Sequence, residues 1–169
     1  MLHLFSRGVA LGCHVLRLRR AIRAVFQGNF QFTFIRGQNL NCATDRGVDF
    51  VMLGCPHNSI DQVWLIASML EGRKISANTQ LWVHTPRALR EVADRNGYTK
   101  MIAEAGGFVM SDTCPAISRH MPKGTKVVAT DSAKQAHYLP AITGVSAWFG
   151  SVKDCVEAAI AGRWSGGLQ

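Results

Sequence analysis

Short apolar runs alternate with longer amphipathic stretches from Val48 to the end of the chain. Residues 48–54 are almost continuously apolar, which is typical of a strand buried on both faces of a sheet. Further apolar runs predict four more strands, at residues 80–84, 108–111, 126–130 and 146–149. Five short strands separated by helix-length segments indicate an ordered α/β domain.

The intervening segments carry helix signals. Ser59 and Gln62 form a predicted capping box, apolar residues follow at helical spacing, and Gly72 marks the stop. Thr85 is the predicted N-cap of the next helix, with Pro86 at the first helical position. The remaining predicted helices cover residues 98–105, residues 132–138 up to a stop at Pro140, and a final segment capped by Ser151.

Strands and helices that alternate in this way predict an α/β fold. Right-handed connections between parallel strands place helices on both faces of the sheet. We therefore expect a three-layer sandwich with a mostly parallel sheet.

The charge is unevenly distributed along the chain. The net charge is +8. The first 47 residues hold seven arginines and one acid, Asp45, whereas residues 48–169 are nearly balanced. We therefore predict a basic leader at 1–47, either a poorly ordered extension or a transit or membrane-surface helix, and a domain at 48–169. The balanced domain indicates no nucleic-acid partner, and no apolar run is long enough to predict a membrane span.

The five cysteines are odd in number, widely spaced and without a CxxC pair. No convincing secretory signal precedes them, so free thiols or metal ligation in a reducing, cytoplasmic setting are expected rather than a disulfide framework.

Two of these cysteines, Cys55 and Cys114, follow predicted strands and each precedes a proline. Ligands bind at the carboxyl ends of the strands in such sheets, and proline stiffens the loop beside each thiol. Two thiolates aimed into one crevice suit an iron–sulfur cluster or a soft metal. Two ordinary core cysteines give the same pattern.

A possible anion site follows the fourth strand. Lys134 lies in the first turn of the predicted helix, and Ser132 offers a hydroxyl beside it. The alternative is a solvated surface lysine. His57, two residues after Cys55, is either a ligand or an acid–base group, or a loop histidine with a structural hydrogen bond.

Four stretches, in unbroken order over about residues 48–164, resemble the aconitase X family. They are "VDFVMLGCPHNSIDQVWLIASMLEGRKI", "GFVMSDTCPAI", "VVATDSAKQAHYLP" and "WFGSVKDCVEAAIAGRW". The similarity is to the carboxyl-terminal part of the catalytic, or large, subunit, which implies an aconitase-like fold.

The resemblance also implies a chemistry. Family members are hydro-lyases in which an iron–sulfur cluster acts as a Lewis acid on the leaving hydroxyl of a small substrate. By this resemblance Cys55 and Cys114 would be cluster ligands, and Lys134 would contact the anionic group of a carboxylate or phosphorylated substrate. Ser132 and Asp131 belong to the same substrate segment. The base that removes the proton would come from a small subunit or swivelling domain as partner.

The sequence departs from the family at two points. The third cluster cysteine lies in an amino-terminal half that this chain is too short to contain, and Asp131 stands where asparagine is expected. A carboxylate there would repel an anionic substrate. We therefore expect a truncated dehydratase domain, with two alternatives: a non-catalytic α/β fragment that keeps only the fold, or a flavodoxin-like binder. The last lacks a glycine-rich phosphate loop after the first strand.

Overall fold

The computed structural model describes residues 40–166. Their five strands form one sheet at the predicted places: β1 (Phe50–Leu53), β2 (Gln80–Thr85), β3 (Phe108–Ser111), β4 (Val127–Thr130) and β5 (Ser146–Phe149). The helices are α1 (Ile60–Leu70), α2 (Arg87–Arg95), α3 (Tyr98–Ala105), α4 (Pro115–Ser118), α5 (Ala133–Thr143) and α6 (Val152–Ala161).

The sheet has the strand order β3-β2-β1-β4-β5, and every one of these neighbours pairs in parallel. Val51 in the central strand is in register with Leu81 on one side and Ala129 on the other. The chain runs outward from β1 to β3 and then crosses back to β4. A topological switch point therefore lies between β1 and β4, where doubly wound sheets bind their ligands.

Successive residues of β1 point to opposite faces and enter two different cores. Val51 and Leu53 pack in the larger cluster, with buried residues of α1, α2, α3 and α6. Phe50 and Met52 pack on the other face, where Leu139 of α5 covers them. The sheet is thus enclosed by helices on both sides, and the predicted α/β sandwich is confirmed.

Two predicted helix boundaries are wrong, and both for tertiary reasons. Thr85 does not cap α2; it ends β2, where its buried hydroxyl donates to the carbonyl of Asn58 at 2.9 Å, and Pro86 is the N-cap. Pro140 does not stop α5, which continues to Thr143 although proline offers no N–H to the helix. The preceding residue, Leu139, is fully buried against the sheet, and its packing holds the helix together.

The short helix α4 was not predicted. Its four residues follow Cys114, where the sequence indicates only a polar loop. A single helical turn is too short to show an apolar periodicity.

Residues 40–47, just before the predicted domain boundary, lie along β5. The N–H of Cys42 donates to the Ala147 carbonyl at 3.0 Å, and the N–H of Phe149 donates to Asn41 Oδ1 at 2.7 Å. The boundary at 47/48 stays a prediction. The rest of the predicted leader, including Cys13, lies outside the described residues. Within residues 40–166 no helix has the length and apolar character needed to cross a membrane.

Candidate functional site

Four loops meet at the carboxyl edge of the sheet, those that follow β1, β2, β3 and β4. Cys55 follows β1, Cys114 follows β3, and Asp131 and Ser132 follow β4. This edge includes the switch point between β1 and β4, the expected place for a ligand. The predicted site residues therefore come from three separate loops at one edge of the sheet.

Cys55 and Cys114 converge although β2 separates their strands. The side-chain amide nitrogen of Gln135, Nε2, lies 3.0 Å from the sulfur of Cys55 and 3.0 Å from that of Cys114. The two sulfurs are therefore no farther apart than twice this distance. Both cysteines are free and half-buried. The thiols reach one point with some exposure to solvent.

The loop that carries Cys55 is fixed by a glycine and an asparagine. Gly54 has a φ of +100°, and a Cβ there would collide with the His84 carbonyl and the Asn58 amide. Asn58 donates to that same carbonyl twice, from its backbone N–H at 2.9 Å and from Nδ2 at 3.1 Å. Only glycine allows the end of β1 to pass this close to the end of β2.

The loop that carries Cys114 is held from two sides. Asp112, at a left-handed φ of 51°, accepts hydrogen bonds from the N–H and the Nε of Arg87, both at 3.1 Å. His57 Nε2 lies 3.0 Å from the carbonyl oxygen of Thr113, which joins the two cysteine loops. This is the structural hydrogen bond that was one of the alternatives for His57.

Backbone hydrogen bonds favour the thiolate of Cys114. Burial by itself would raise the pKa of this thiol. The N–H groups of Ile117 and Ala116, together with the Gln135 amide and the Cys55 thiol, outweigh burial and bring the pKa of Cys114 below its usual value. A lowered pKa makes a cysteine a better metal ligand.

Ser132 joins the loop after β4 to the loop after β1. Its hydroxyl donates to the Cys55 carbonyl at 2.5 Å and accepts from the Gln135 N–H at 3.2 Å as the N-cap of α5. Asp131 Oδ1 accepts from the Gly54 N–H at 3.3 Å, and burial raises the pKa of this carboxyl. Lys134, in the first turn of α5, is exposed to solvent.

Two buried side chains of this edge were missed by sequence reasoning. Gln135 is fully buried, and its Oε1 has no hydrogen-bond partner within the described residues. His84 is equally buried in β2, and its ring stacks on that of His57 at a centroid distance of 6.5 Å. Burial lowers the pKa of His84 to about 4, with the nearby His57 as a second cause. Gln135 lies within the stretch "VVATDSAKQAHYLP", but the resemblance gives it no role, and His84 lies in an apolar strand run. The sequence therefore offers no signal that singles out either residue.

The donor set fits part of a soft-metal or iron–sulfur ligand set. Two thiols converge beside an N–H donor, as such a group requires. Across residues 40–166 no cluster of three or more His, Cys, Asp or Glu side chains is arranged to hold a metal. Cys155 lies on the buried face of α6, in the larger core, and Cys42 lies along β5. Cys55 and Cys114 therefore account for two ligands, and an iron–sulfur cluster or a soft metal needs more than two.

Comparison with known proteins gives one consistent result. A sequence model described as the aconitase X third domain matches residues 48–161. The phosphomevalonate dehydratase large subunit of Methanothermobacter thermautotrophicus is 44% identical over 104 residues, 62% of this chain and 26% of that protein. The cis-3-hydroxy-L-proline dehydratase of Hypocrea jecorina is 36% identical over 128 residues, 74% of this chain and 22% of that protein.

A solved structure agrees with the sequence comparisons. The holo-form crystal structure of Thermococcus kodakaraensis aconitase X superposes with a TM-score of 0.59 at 29% identity, over 67% of this chain and 29% of that one. The chain spans about a quarter of the length of the curated relatives it matches. Sequence, fold and the matched domain lead to one conclusion: the chain belongs to the aconitase X family.

Proposed function

We propose that this chain is the cysteine-bearing domain of an aconitase-X-type hydro-lyase. The observation that carries the proposal is the convergence of Cys55 and Cys114 on the Gln135 amide. Two thiols that converge at the carboxyl edge of a parallel sheet, beside the switch point, are near the position where such sheets bind their ligands. The similar proteins are named as dehydratases, which supports the reaction class.

The cofactor proposed for this pair is an iron–sulfur cluster of unspecified type. When bound, it supplies a Lewis acid that polarises the departing hydroxyl of the substrate. Cys55 and Cys114 would hold it, while the backbone N–H groups near Cys114 favour the charged thiolate. Half-burial of both cysteines leaves access for a small molecule and keeps most water away.

The proposed substrate is a small hydroxylated carboxylate or phosphorylated molecule. Lys134 supplies a cation in the first turn of α5, and Ser132 fixes that helix end against the Cys55 loop. The amino-terminal end of a helix also attracts anions through its unpaired N–H groups. The Asp131 carboxylate, next to Ser132, would oppose the binding of an anionic substrate.

The proposal requires partners. The further cluster ligand would come from an amino-terminal half of the large subunit. The base that removes the substrate proton would come from a small subunit or swivelling domain. Two of the similar proteins are named as large subunits, which supports a partner of this kind. A reducing, cytoplasmic location is proposed with it, because free thiols are required.

Anaerobic reconstitution with iron and sulfide tests the cofactor. The full chain should bind iron, and the double variant Cys55→Ser/Cys114→Ser should lose it. The matched control is Cys42→Ser, another half-buried free cysteine, which should keep the bound iron. Equal iron content in the double variant and the unsubstituted chain would show that the pair is not a cluster site.

Turnover tests the activity. Phosphomevalonate and cis-3-hydroxy-L-proline are the substrates to try, with the reconstituted chain alone and together with a small subunit of a related enzyme. We expect dehydration only when the partner is present.

A non-catalytic fragment is the second candidate. The observation in its favour is that the described residues offer two converging thiols and no third ligand. This candidate predicts a folded chain that binds no iron under the same conditions.

A further inference from the structure

We propose that Gln135 is a positioning residue for the metal site, donating one hydrogen bond to the sulfur of Cys55 and one to that of Cys114. The inference rests on the proposed role of this cysteine pair and adds a residue that the family resemblance does not assign. The inference comes from the Gln135 side chain, whose Nε2 contacts both sulfurs and whose Oε1 has no hydrogen-bond partner within the described residues.

The amide presents its donor end to both sulfurs. A side-chain amide has two N–H bonds on one nitrogen, and here Nε2 is 3.0 Å from each sulfur. A protonated thiol is itself a weak donor and would be better matched by the amide oxygen. A deprotonated sulfur is an acceptor, so the observed orientation of the amide suits the thiolate, the state in which cysteine binds metals.

Gln135 leaves its own oxygen unsatisfied in this orientation. The side chain is fully buried, and Oε1 has no hydrogen-bond partner within the described residues. Buried amide oxygens are normally paired, so a glutamine serving only the packing of α5 would be expected to satisfy this atom. The donors are directed at the sulfurs instead.

The backbone of Gln135 is fixed by the same residue that fixes Cys55. Ser132 accepts a hydrogen bond from the Gln135 N–H at 3.2 Å and donates to the Cys55 carbonyl at 2.5 Å. The amide therefore starts from a rigid first turn of α5. Its two hydrogen bonds hold the sulfurs at one separation and draw electron density from them, two effects by which outer groups tune a metal site.

Cobalt binding tests the positioning role of Gln135 and does not require enzymatic turnover. The reduced, metal-free full chain is titrated with Co²⁺ under anaerobic conditions, and the sulfur-to-cobalt charge-transfer absorption is followed. Gln135→Leu removes both donors and adds no ligand. We expect its Co²⁺ affinity to fall about 10- to 100-fold. The absorption should also move to longer wavelength, because a sulfur without hydrogen bonds gives up an electron more easily.

The control variants separate this effect from a general loss of structure. Gln80→Leu changes an exposed glutamine at the start of β2, on the opposite edge of the sheet, and should leave affinity and band position unchanged. Cys55→Ser/Cys114→Ser should abolish the band. A wild-type band position and affinity in Gln135→Leu would overturn the role of Gln135 while leaving the cysteine pair intact. No band in the unsubstituted chain would overturn the metal role of the pair itself.

A second measurement needs no substitution at Gln135. With ¹¹³Cd²⁺ bound to the unsubstituted chain, the side-chain amide protons of Gln135 should show scalar coupling to cadmium through the N–H···S hydrogen bonds. Amide resonances that are assigned and uncoupled, in a chain with cadmium bound to both cysteines, would overturn the proposal even if Gln135→Leu does not fold.

Discussion

The hydroxyl of Ser132 donates to the carbonyl oxygen of Cys55 at 2.5 Å. This contact joins residues 77 positions apart and fixes the start of α5 against the loop that follows β1. Ser132 also caps α5, so one side chain serves a helix terminus and a candidate ligand loop at once.

Replacing this serine should cost more than the loss of a helix cap. Ser132→Ala removes the cap and leaves the Cys55 carbonyl without its donor, so we expect the free energy of unfolding to fall by about 2–3 kcal/mol. Ser59→Ala is the matched control, since Ser59 caps α1 through a capping box. It should cost about 1 kcal/mol. Urea denaturation at pH 7 measures both, and equal losses would contradict the second role of Ser132.

Gly54→Ala should be among the most damaging single changes in the domain. It places a methyl group against the His84 carbonyl and the Asn58 amide at a φ of +100°. The loss of unfolding free energy should reach about 3 kcal/mol or more, from backbone strain together with the steric clash. Gly72→Ala is the control, because Gly72 also has a positive φ but an added Cβ there would meet nothing within 4 Å. It should cost only about 1–2 kcal/mol, the strain of the left-handed conformation alone.

His84 should make the domain less stable in acid. Its pKa is 6.5 in the unfolded reference and about 4 in the fold. The folded state therefore binds fewer protons than the unfolded state between these values, and stability falls as the pH drops from 6.5 towards 4. The loss attributable to this ring is roughly 3 kcal/mol once the pH is below both values.

His84→Phe should remove that part of the pH dependence while keeping an aromatic ring beside Trp82 and His57. Denaturation curves recorded from pH 7.5 to 4 measure it. The exposed His120 serves as the control, and His120→Gln should leave the profile as it is in the unsubstituted chain. An unchanged profile in His84→Phe would show that another group is responsible.

Asp131 acts in the opposite direction. Burial raises the pKa of its carboxyl above the ordinary value for aspartate, so the folded state holds the proton more tightly than the unfolded state. The stability that this group contributes is present at low pH and is lost as the pH rises through the folded pKa. Asp131→Asn keeps an oxygen for the Gly54 N–H and should be more stable than the unsubstituted chain at pH 7. At pH 3 the difference should disappear, and a difference that does not change with pH would contradict this.

Much of the fold could be predicted from local patterns. Capping boxes such as Ser59 with Gln62 act within one helical turn, and a buried strand needs only a short apolar run, so both are visible in the sequence. The errors at Thr85 and Pro140 arise where a distant contact overrides a local preference. The Thr85 hydroxyl donates to the carbonyl of Asn58, in the loop that follows the neighbouring strand β1. The helix α5 continues past Pro140 because Leu139 is packed on the sheet.

Some residues of the candidate site could likewise be predicted from local patterns, and others could not. Cys55 and Cys114 could be recognised because each stands at the end of an apolar run and before a proline. Gln135 and His84 could not, because their importance comes only from what surrounds them. Both are polar and fully buried, and burial by residues far along the chain leaves no local pattern.

The sequence by itself determined the order of the five strands and of every helix except α4, a mostly parallel sheet, and the placing of two cysteines at strand ends. These follow from local spacing and from the rule that successive parallel strands end at one edge. Only the tertiary structure decided that β2 lies between β1 and β3, that the two cysteine loops nevertheless meet, and that the Gln135 amide lies between their sulfurs. Pairing between distant strands depends on how all the apolar faces are buried together, and no short segment of the chain specifies that arrangement.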